Sequence, residues 1–196
     1  MKHLIIYAHP NPDSLNGQFK ETLVEHLQQD GQEIVVRDLY AVGFNPVLSL
    51  EDLAGQRKGL VADDVAKEQE FITWSDSITF IYPIWWTGLP AMMKGYVDRV
   101  FSYGFAYSYT QGIQKGLLTG RNAVIINTHG KSHDEYHANG LKQALSLTSD
   151  QGIYTYTGLK VVKHLFFEKA DRPSPEDIDA WKLQVRGIYT NKEIII

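Results

Sequence analysis

Short apolar runs alternate with amphipathic stretches along most of this chain. The run Leu4–Ala8 is continuously apolar and ends at turn residues, which is typical of a strand buried on both faces. Between Asn16 and Asp30 apolar residues recur at helical spacing, and Gly31 ends that pattern. The same reasoning predicts five strands: Leu4–Ala8, Glu33–Asp38, Ser77–Tyr82, Asn122–Asn127 and Leu159–Phe167.

Helical patterns follow each of these strands. The predicted helices are Asn16–Asp30, Val61–Trp74, Ala91–Phe101, His137–Thr148 and a last helix opening at Pro175, with an irregular connection over Leu39–Gly59. Strands that alternate with helices indicate an α/β fold, a parallel sheet with helices on both faces. Ligands of such sheets bind beyond the carboxyl ends of the strands, so the loops after strands one, three and four are the candidate site.

Composition narrows the class of protein further. The 196 residues are 43% hydrophobic, enough for one domain, which we predict to span residues 1–196. No apolar run reaches the ~20 residues of a membrane span, so we expect no stable membrane insertion. A net charge of −4 without a basic block argues against nucleic acid as a partner. The absence of cysteine excludes thiol chemistry and disulfides, and it fits a cytoplasmic protein.

The loop after the first strand, His9–Asn16, leads into a helix N-terminus. Free backbone N–H groups and the helix dipole favour an anion there, and Ser14, Asn16 and the ring N–H of His9 add polar groups. The loop is neither a GxGxxG nor a GxxxxGK[ST] motif. An ordinary turn capped by Ser14 or Asn16 explains the same residues, and that alternative stays open.

The loop after the third strand carries an excess of aromatic residues. It reads Tyr82-Pro83-Ile84-Trp85-Trp86 and continues through Gly88 and Pro90. Large aromatics at a strand end favour a flat, apolar binding partner such as an aromatic cofactor. A core cluster or a dimer interface is the alternative explanation.

The loop after the fourth strand, Asn127–His137, is rich in hydrogen-bonding groups, and Gly130 allows close backbone approach. Three histidines suggest a metal site, but ligands at residues 129, 133 and 137 would need a helix across Gly130, so we disfavour zinc. In Phe105–Tyr109 the aromatic residues alternate, as in an extended chain. Whether they form a half-buried strand, a dimer contact or a binding surface stays open.

Together these loops combine an anion cradle, an aromatic wall and a polar rim. Such a site suits a planar ring system that carries a phosphate. A chain without cysteine that performs redox chemistry needs a cofactor for it.

Several motifs carry a family resemblance over essentially the whole chain. They are Ala8-His9 with Ser14-Leu15-Asn16, Asp38-Leu39-Tyr40 with Phe44-Asn45-Pro46, Tyr82–Trp86, Pro90–Gly95 with Asp98–Phe101, and Phe105–Tyr109. They resemble the NAD(P)H dehydrogenase (quinone) family, the flavodoxin-like flavoproteins called quinone reductases.

The resemblance implies a flavodoxin-like fold and a bound flavin. FMN is expected rather than FAD, because the longer C-terminal portion of the FAD-dependent relatives is missing here. The residues that match the family's flavin site are His9, Ser14, Leu15, Asn16, Pro83, Ile84, Trp85, Trp86, Asn127, Thr128, His129, Gly130 and Tyr136. Trp86 matches the family's aromatic residue, whereas Trp85 and His129 depart from the family pattern.

The resemblance also implies a reaction and an assembly. NAD(P)H would reduce the flavin and leave, and a quinone or related acceptor would then take two electrons in a ping-pong sequence. Tyr107 and Tyr109 match aromatics that line the substrate pocket across a homodimer interface. Tyr136 matches a tyrosine that hydrogen-bonds the flavin or substrate.

The family's partner to that tyrosine is a histidine, and Lys142 stands in its place. His133 or His137 is a candidate replacement, and Tyr136 with His137 is the predicted catalytic pair. An alternative function within the resemblance is an ancillary regulatory flavoprotein of a glutathione-gated potassium efflux system. A purely electron-carrying flavodoxin is disfavoured by the modest acidity of the chain.

Overall fold

The computed structural model describes residues 1–190. The main sheet is built from β1 (Lys2–Tyr7), β2 (Glu33–Asp38), β3 (Ser77–Pro83), β6 (Asn122–Thr128) and β7 (Lys160–Phe167). All neighbours in it pair in parallel, in the order β2-β1-β3-β6-β7. The predicted flavodoxin-like, five-stranded parallel sheet is therefore confirmed, with strand ends that differ by one or two residues from the expected ones. The predicted single domain includes residues 191–196, which lie outside the described residues.

Helices cover both faces of this sheet. They are α1 (Leu15–Gln29), α2 (Leu50–Gln56), α3 (Asp63–Trp74), α4 (Ala91–Val100), α5 (His133–Ala138), α6 (Leu141–Leu145) and α7 (Pro175–Arg186), with a π-helical segment at Ser146–Thr155. Leu4 and Ile6 of β1 pack with α3 and α4 on one face, and Ile5 and Tyr7 pack with α1 and α7 on the other. Within residues 1–190 no helix is long and apolar enough to cross a bilayer.

The connection predicted to be irregular, Leu39–Gly59, contains the short helix α2. Ser49 and Asp52 form a reciprocal capping box at its start. Asp52 also accepts a hydrogen bond of 3.0 Å from Nε of Arg99 on α4. The helix thus depends on a tertiary ion pair, which its local pattern does not reveal.

The predicted helix His137–Thr148 was wrong in its bounds. Ser132 and Glu135 form a capping box that starts α5 at His133, four residues early. Gly140 then adopts a left-handed φ of 67° and separates α5 from α6. Beyond α6 the π-helical segment continues to Thr155, well past the predicted end.

A small hairpin lies outside the main sheet. Its strands β4 (Tyr107–Thr110) and β5 (Ile113–Gly116) pair antiparallel. The extended aromatic segment predicted at Phe105–Tyr109 is thus partly right, because only its last three residues belong to a strand. The ring centroids of Tyr107 and Tyr109 lie 6.3 Å apart.

Candidate functional site

The carboxyl ends of β1, β3 and β6 are neighbours in the sheet, so their three loops meet. Tyr7 pairs with Ile81, and Pro83 pairs with Thr128. Thr128 connects the loops directly. Its Oγ1 accepts a hydrogen bond of 2.8 Å from Nδ2 of Asn16, and its carbonyl accepts one of 2.8 Å from the backbone of Ile84.

The N-terminus of α1 forms the first wall of the site. Ser14 caps the helix, because its Oγ accepts from the backbone N–H of Gly17 at 3.1 Å. The N–H groups of Leu15 and Asn16 lie in the first turn, where no preceding helical carbonyl can accept from them. Beyond the cap, Nδ1 of His9 lies 3.0 Å from the carbonyl oxygen and 3.1 Å from the backbone nitrogen of Asn11, so this ring nitrogen is engaged within the loop. The backbone N–H groups of Leu15 and Asn16 can donate to an anion at this loop.

Two buried side chains at this edge have polar atoms that lack hydrogen bonds to the described residues. Oδ1 of Asn16 is one, and both ring nitrogens of His129 are the others. The two residues are each 3% exposed. Because buried polar atoms are nearly always paired, a bound ligand with polar groups would complete this site.

The aromatic loop forms a tight turn. Trp85 and Gly88 exchange two backbone hydrogen bonds, of 3.2 and 3.1 Å, and Trp86 and Thr87 between them have left-handed φ values of 52° and 57°. Trp86 projects fully into solvent, and Trp85 is 42% exposed, with its ring centroid 5.7 Å from that of His9. The pair is therefore not a core cluster, and it is free to contact a ligand or a second chain.

Tyr136 stacks on His129 beside this turn. Their ring centroids are 4.2 Å apart, and Ile84 packs against Tyr136. Burial, and then the nearby His133, lower the pKa of His129, so its ring is neutral at neutral pH. Burial raises the pKa of Tyr136, so its phenol keeps its proton. The site thus holds a neutral hydroxyl donor above a neutral imidazole.

The predicted catalytic pair is not brought together. His137 is exposed on α5 whereas Tyr136 is buried, and within residues 1–190 no hydrogen bond or ring contact joins the two side chains. The rings of His129 and His133 approach to 5.5 Å, but His129 precedes α5, so the histidines do not share one helical face. Nζ of Lys142 lies 5.9 Å from the ring centroid of Phe166.

The side chain of Asn127 makes hydrogen bonds to other groups of the protein. Its Nδ2 donates to the Tyr82 carbonyl at 2.8 Å, and its Oδ1 lies 2.7 Å from Nε2 of His164. In the same loop a Cβ at Gly130 would lie 2.5 Å from Oδ2 of Asp171, an exposed side chain that can turn away. Sequence reasoning missed His164, which carries no motif and reaches the site only because β7 is the neighbour of β6.

The tyrosines predicted to bind substrate lie apart from these three loops. Tyr107 borders a cavity of about 330 Å³ together with Tyr156, Lys94 and Asp98. The hydroxyls of Tyr109 and Tyr156 are 2.8 Å apart, and this hydrogen bond raises the pKa of Tyr156 to about 12. Tyr156, which directly follows the π-helical segment, was also missed, because it is 47 residues from Tyr109 in the chain.

Comparison with known proteins places this chain in a family. A family model described as having the flavodoxin-like fold matches residues 1–187. An NAD(P)H oxidoreductase of Haemophilus influenzae is 37% identical over 201 residues, covering 98% of this chain and 99% of the relative. This chain belongs to the flavodoxin-like quinone reductase family. The predicted family and enzyme class, an oxidoreductase, are confirmed.

Other members of the quinone reductase family agree with this. NAD(P)H dehydrogenase (quinone) 1 of Cavia porcellus is 30% identical, over 95% of this chain and 76% of that one. The solved structure of an NAD(P)H:quinone oxidoreductase from Methanothermobacter marburgensis has a TM-score of 0.88 at 27% identity, covering 98% of this chain and 97% of that one. These names give no support to the alternative of an ancillary transporter subunit.

Proposed function

We propose that this family member is a flavin-dependent NAD(P)H:quinone oxidoreductase. The observation that carries the proposal is the meeting of three loops at one sheet edge. They bring together a helix N-terminus, exposed aromatics and buried polar atoms without partners. Relatives named as NAD(P)H and quinone oxidoreductases support the same reaction.

The residues present fit a flavin, and FMN in particular. The N–H groups at the start of α1 would hold its phosphate, with Ser14 keeping the helix end ordered. Trp85 and Trp86 would contact the ring, while Asn16 and His129 have the buried unpaired atoms that its polar edge could satisfy. No cationic side chain belongs to the loop 9–16, so amides and hydroxyls would carry the phosphate contact.

A bound flavin accepts a hydride from NAD(P)H and passes two electrons to a second substrate. The protein's own groups supply the surroundings. Tyr136, kept protonated by burial, would donate a hydrogen bond where negative charge develops. His129 supports the ring of Tyr136 from below at 4.2 Å and stays neutral. The open turn at Trp86 leaves room for donor and acceptor to bind in turn, which a ping-pong sequence requires.

We also propose a homodimer. Apolar side chains stand exposed in the connection between β2 and α3, with Val47 at 67%, Leu50 at 82% and Leu60 at 63%. In one chain, no hydrogen bond or ring contact within residues 1–190 joins Tyr107 or Tyr109 to the loops after β1, β3 and β6. A second copy would cover the apolar residues and could bring its tyrosines to the site. A cytoplasmic location stays a prediction based on the absence of cysteine.

The visible spectrum of the purified protein tests the flavin. We expect a yellow protein whose released chromophore is FMN and whose absorbance bleaches anaerobically with NADH or NADPH. Adding a quinone should restore the oxidised spectrum. A colourless protein that takes up neither FMN nor FAD would refute the proposal.

Steady-state kinetics tests the reaction sequence. Varying NAD(P)H at several quinone concentrations should give parallel double-reciprocal lines, as expected when the first product leaves before the second substrate binds. Intersecting lines would mean that donor and acceptor are bound together, contrary to the proposed order.

A further inference from the structure

A partly buried chain of polar side chains runs from the π-helical segment to the end of β6. Oδ1 of Asp150 lies 2.8 Å from Nδ1 of His164, and Nε2 of His164 lies 2.7 Å from Oδ1 of Asn127. Nδ2 of Asn127 then donates to the Tyr82 carbonyl at 2.8 Å. The side chains of His164 and Asp150 are only 8% and 18% exposed, so water competes little for these contacts.

The donor and the acceptor of each hydrogen bond in this chain follow from the contact between Asn127 and the Tyr82 carbonyl. The carbonyl of Tyr82 can only accept, so the NH2 group of Asn127 must face it and the amide oxygen must face His164. The opposite amide orientation would set two oxygens 2.8 Å apart at Tyr82 without a proton between them. Both ring nitrogens of His164 therefore face acceptors, the Asp150 carboxylate and the Asn127 amide oxygen.

A neutral imidazole has a single N–H and can satisfy only one of these acceptors. We propose that His164 is a doubly protonated imidazolium, held between Asp150 and Asn127 as a positioning residue behind the candidate site. Its charge is matched by Asp150. Oγ of Ser149 lies 2.8 Å from Oδ1 of Asp150 and 2.9 Å from the Leu145 carbonyl, and its one proton can serve either acceptor. The ion pair is oriented, with its positive member toward the site and its negative member away from it.

The other groups near the Asp150–His164 pair are an aromatic ring, a lysine whose positive charge opposes that of the imidazolium, and two neutral tyrosines. Phe166 stacks on the imidazole with ring centroids 3.8 Å apart, and Lys142 lies on the Phe166 ring. Tyr82 and Tyr154, which hydrogen-bond each other at 3.1 Å, are neutral because burial raises the pKa of both. Asp150 is thus the anion in contact with the ring.

The consequence for the reaction rests on the proposed function. When NAD(P)H gives a hydride to a neutral acceptor, the donor leaves as NAD(P)⁺ and the acceptor gains one negative charge. A positive charge fixed behind Asn127, in a region of low dielectric, stabilises that anion relative to the oxidised form. His164 would therefore raise the reduction potential of the bound flavin without touching it.

Nitrogen-15 NMR of the flavin-free protein tests the charge itself. At pH 7.5 we expect one histidine with a proton on both ring nitrogens, and its signals should disappear in His164→Gln. Asp150→Asn should remove one of the two protons, because the ring loses its counterion. A His164 ring with a single protonated nitrogen in the wild-type protein would overturn the proposal.

The midpoint potential of bound FMN tests the effect on the site. We expect His164→Gln to favour the oxidised form about tenfold more than wild type does, a lowering of about 30 mV for a two-electron couple. Lys163→Gln removes an exposed positive charge from the adjacent residue of β7 and should leave the potential unchanged. Equal potentials for His164→Gln and Lys163→Gln would contradict the electrostatic role. A protein that binds no flavin would instead refute the proposed function, and the NMR result would still decide the charge.

Discussion

At the scale of single residues, surroundings decide what each histidine can do. The chain has seven histidines. His129 is neutral because it is buried under Tyr136, whereas both ring nitrogens of His164 face acceptors. His137 lies in solvent, so the expected proton relay with Tyr136 lacks its geometric basis.

His3 should make the fold sensitive to acid. Burial, and then the charged N-terminus, lower its pKa from 6.5 to about 4. Above pH 6.5 the ring is neutral in both states. Between pH 6.5 and 4 the unfolded chain binds a proton that the folded chain does not. The free energy of unfolding therefore decreases as the pH is lowered through this range, by up to about 3 kcal/mol in total. Urea unfolding at pH 7.5 and 5 should show a smaller loss in His3→Gln than in wild type. Equal losses in both proteins would contradict this assignment.

Trp86 should contribute to FMN binding and not to the stability of the fold. Its side chain is fully exposed and its φ of 52° is strained for a residue with a Cβ. In Trp86→Gly, relief of strain offsets the greater freedom of the unfolded chain, so the free energy of unfolding should stay within about 1 kcal/mol. Loss of the stacking surface should weaken FMN binding about tenfold, as measured by fluorescence titration.

The hairpin of β4 and β5 offers a matched control for Trp86→Gly. Gln111 also has a left-handed φ, 54°, and it lies at the tip between β4 and β5. Gln111→Gly should leave FMN affinity unchanged. If both glycine variants bind FMN as wild type does, Trp86 has no part in the flavin site.

At the scale of elements, the start of α1 shows how a helix end becomes a binding surface. Ser14 caps it, and Gly17 lets the preceding loop fold back over the helix, because a Cβ there would lie 1.9 Å from the Pro12 carbonyl. The loop and the first turn are thereby locked together. The N–H groups at the helix start keep a constant direction for an anion.

Gly17→Ala should disturb this cradle. Moving the Pro12 carbonyl should cost about 1–3 kcal/mol of unfolding free energy and should weaken FMN binding by at least tenfold. Gly187→Ala, at the end of α7, introduces a methyl group whose closest neighbour lies 3.4 Å away, so it should change neither quantity much. Thermal unfolding and FMN titration of both variants make the comparison, and unaltered FMN affinity in Gly17→Ala would count against a phosphate at this loop.

At the scale of the whole molecule, the sheet is covered on both faces, but the connection between β2 and α3 is not. Arg99 and Asp52 hold this connection against α4, while Leu50 and Leu60 remain in water. Exposed apolar residues of this number on one connection are typical of an interaction surface. A second copy of the chain is the partner we propose.

Leu50→Arg should therefore weaken the dimer. Leu50 is 82% exposed, so the substitution should leave the folded monomer intact while placing a charge in the interface. Sedimentation velocity should show a dimer dissociation constant raised at least tenfold. Leu183→Arg, on α7 and 65% exposed, is the control and should remain dimeric. A wild-type protein that is monomeric at micromolar concentration would contradict the dimer.

Local patterns in the sequence predicted the main sheet and most helices correctly. Parallel strands buried on both faces are continuous apolar runs, and residues 4–8 and 123–126 show this without any tertiary information. The short helix α2 and the early start of α5 were missed, because an ion pair and capping boxes, not apolar periodicity, define them.

The candidate site also has a part that the sequence predicts and a part that it does not. Its three loops follow from chain order, because a doubly wound sheet brings the carboxyl ends of β1, β3 and β6 together, and the residues in those loops could be named from the sequence. The partners of those residues could not. Asp150, His164 and Asn127 lie on three separate elements, and only the packing of β7 beside β6 aligns their hydrogen bonds. The sequence alone thus determined the strands, most of the helices and the loops that form the candidate site, since these depend on short-range patterns and chain order. The tertiary structure decided charge, burial and partners, since these depend on contacts between distant residues.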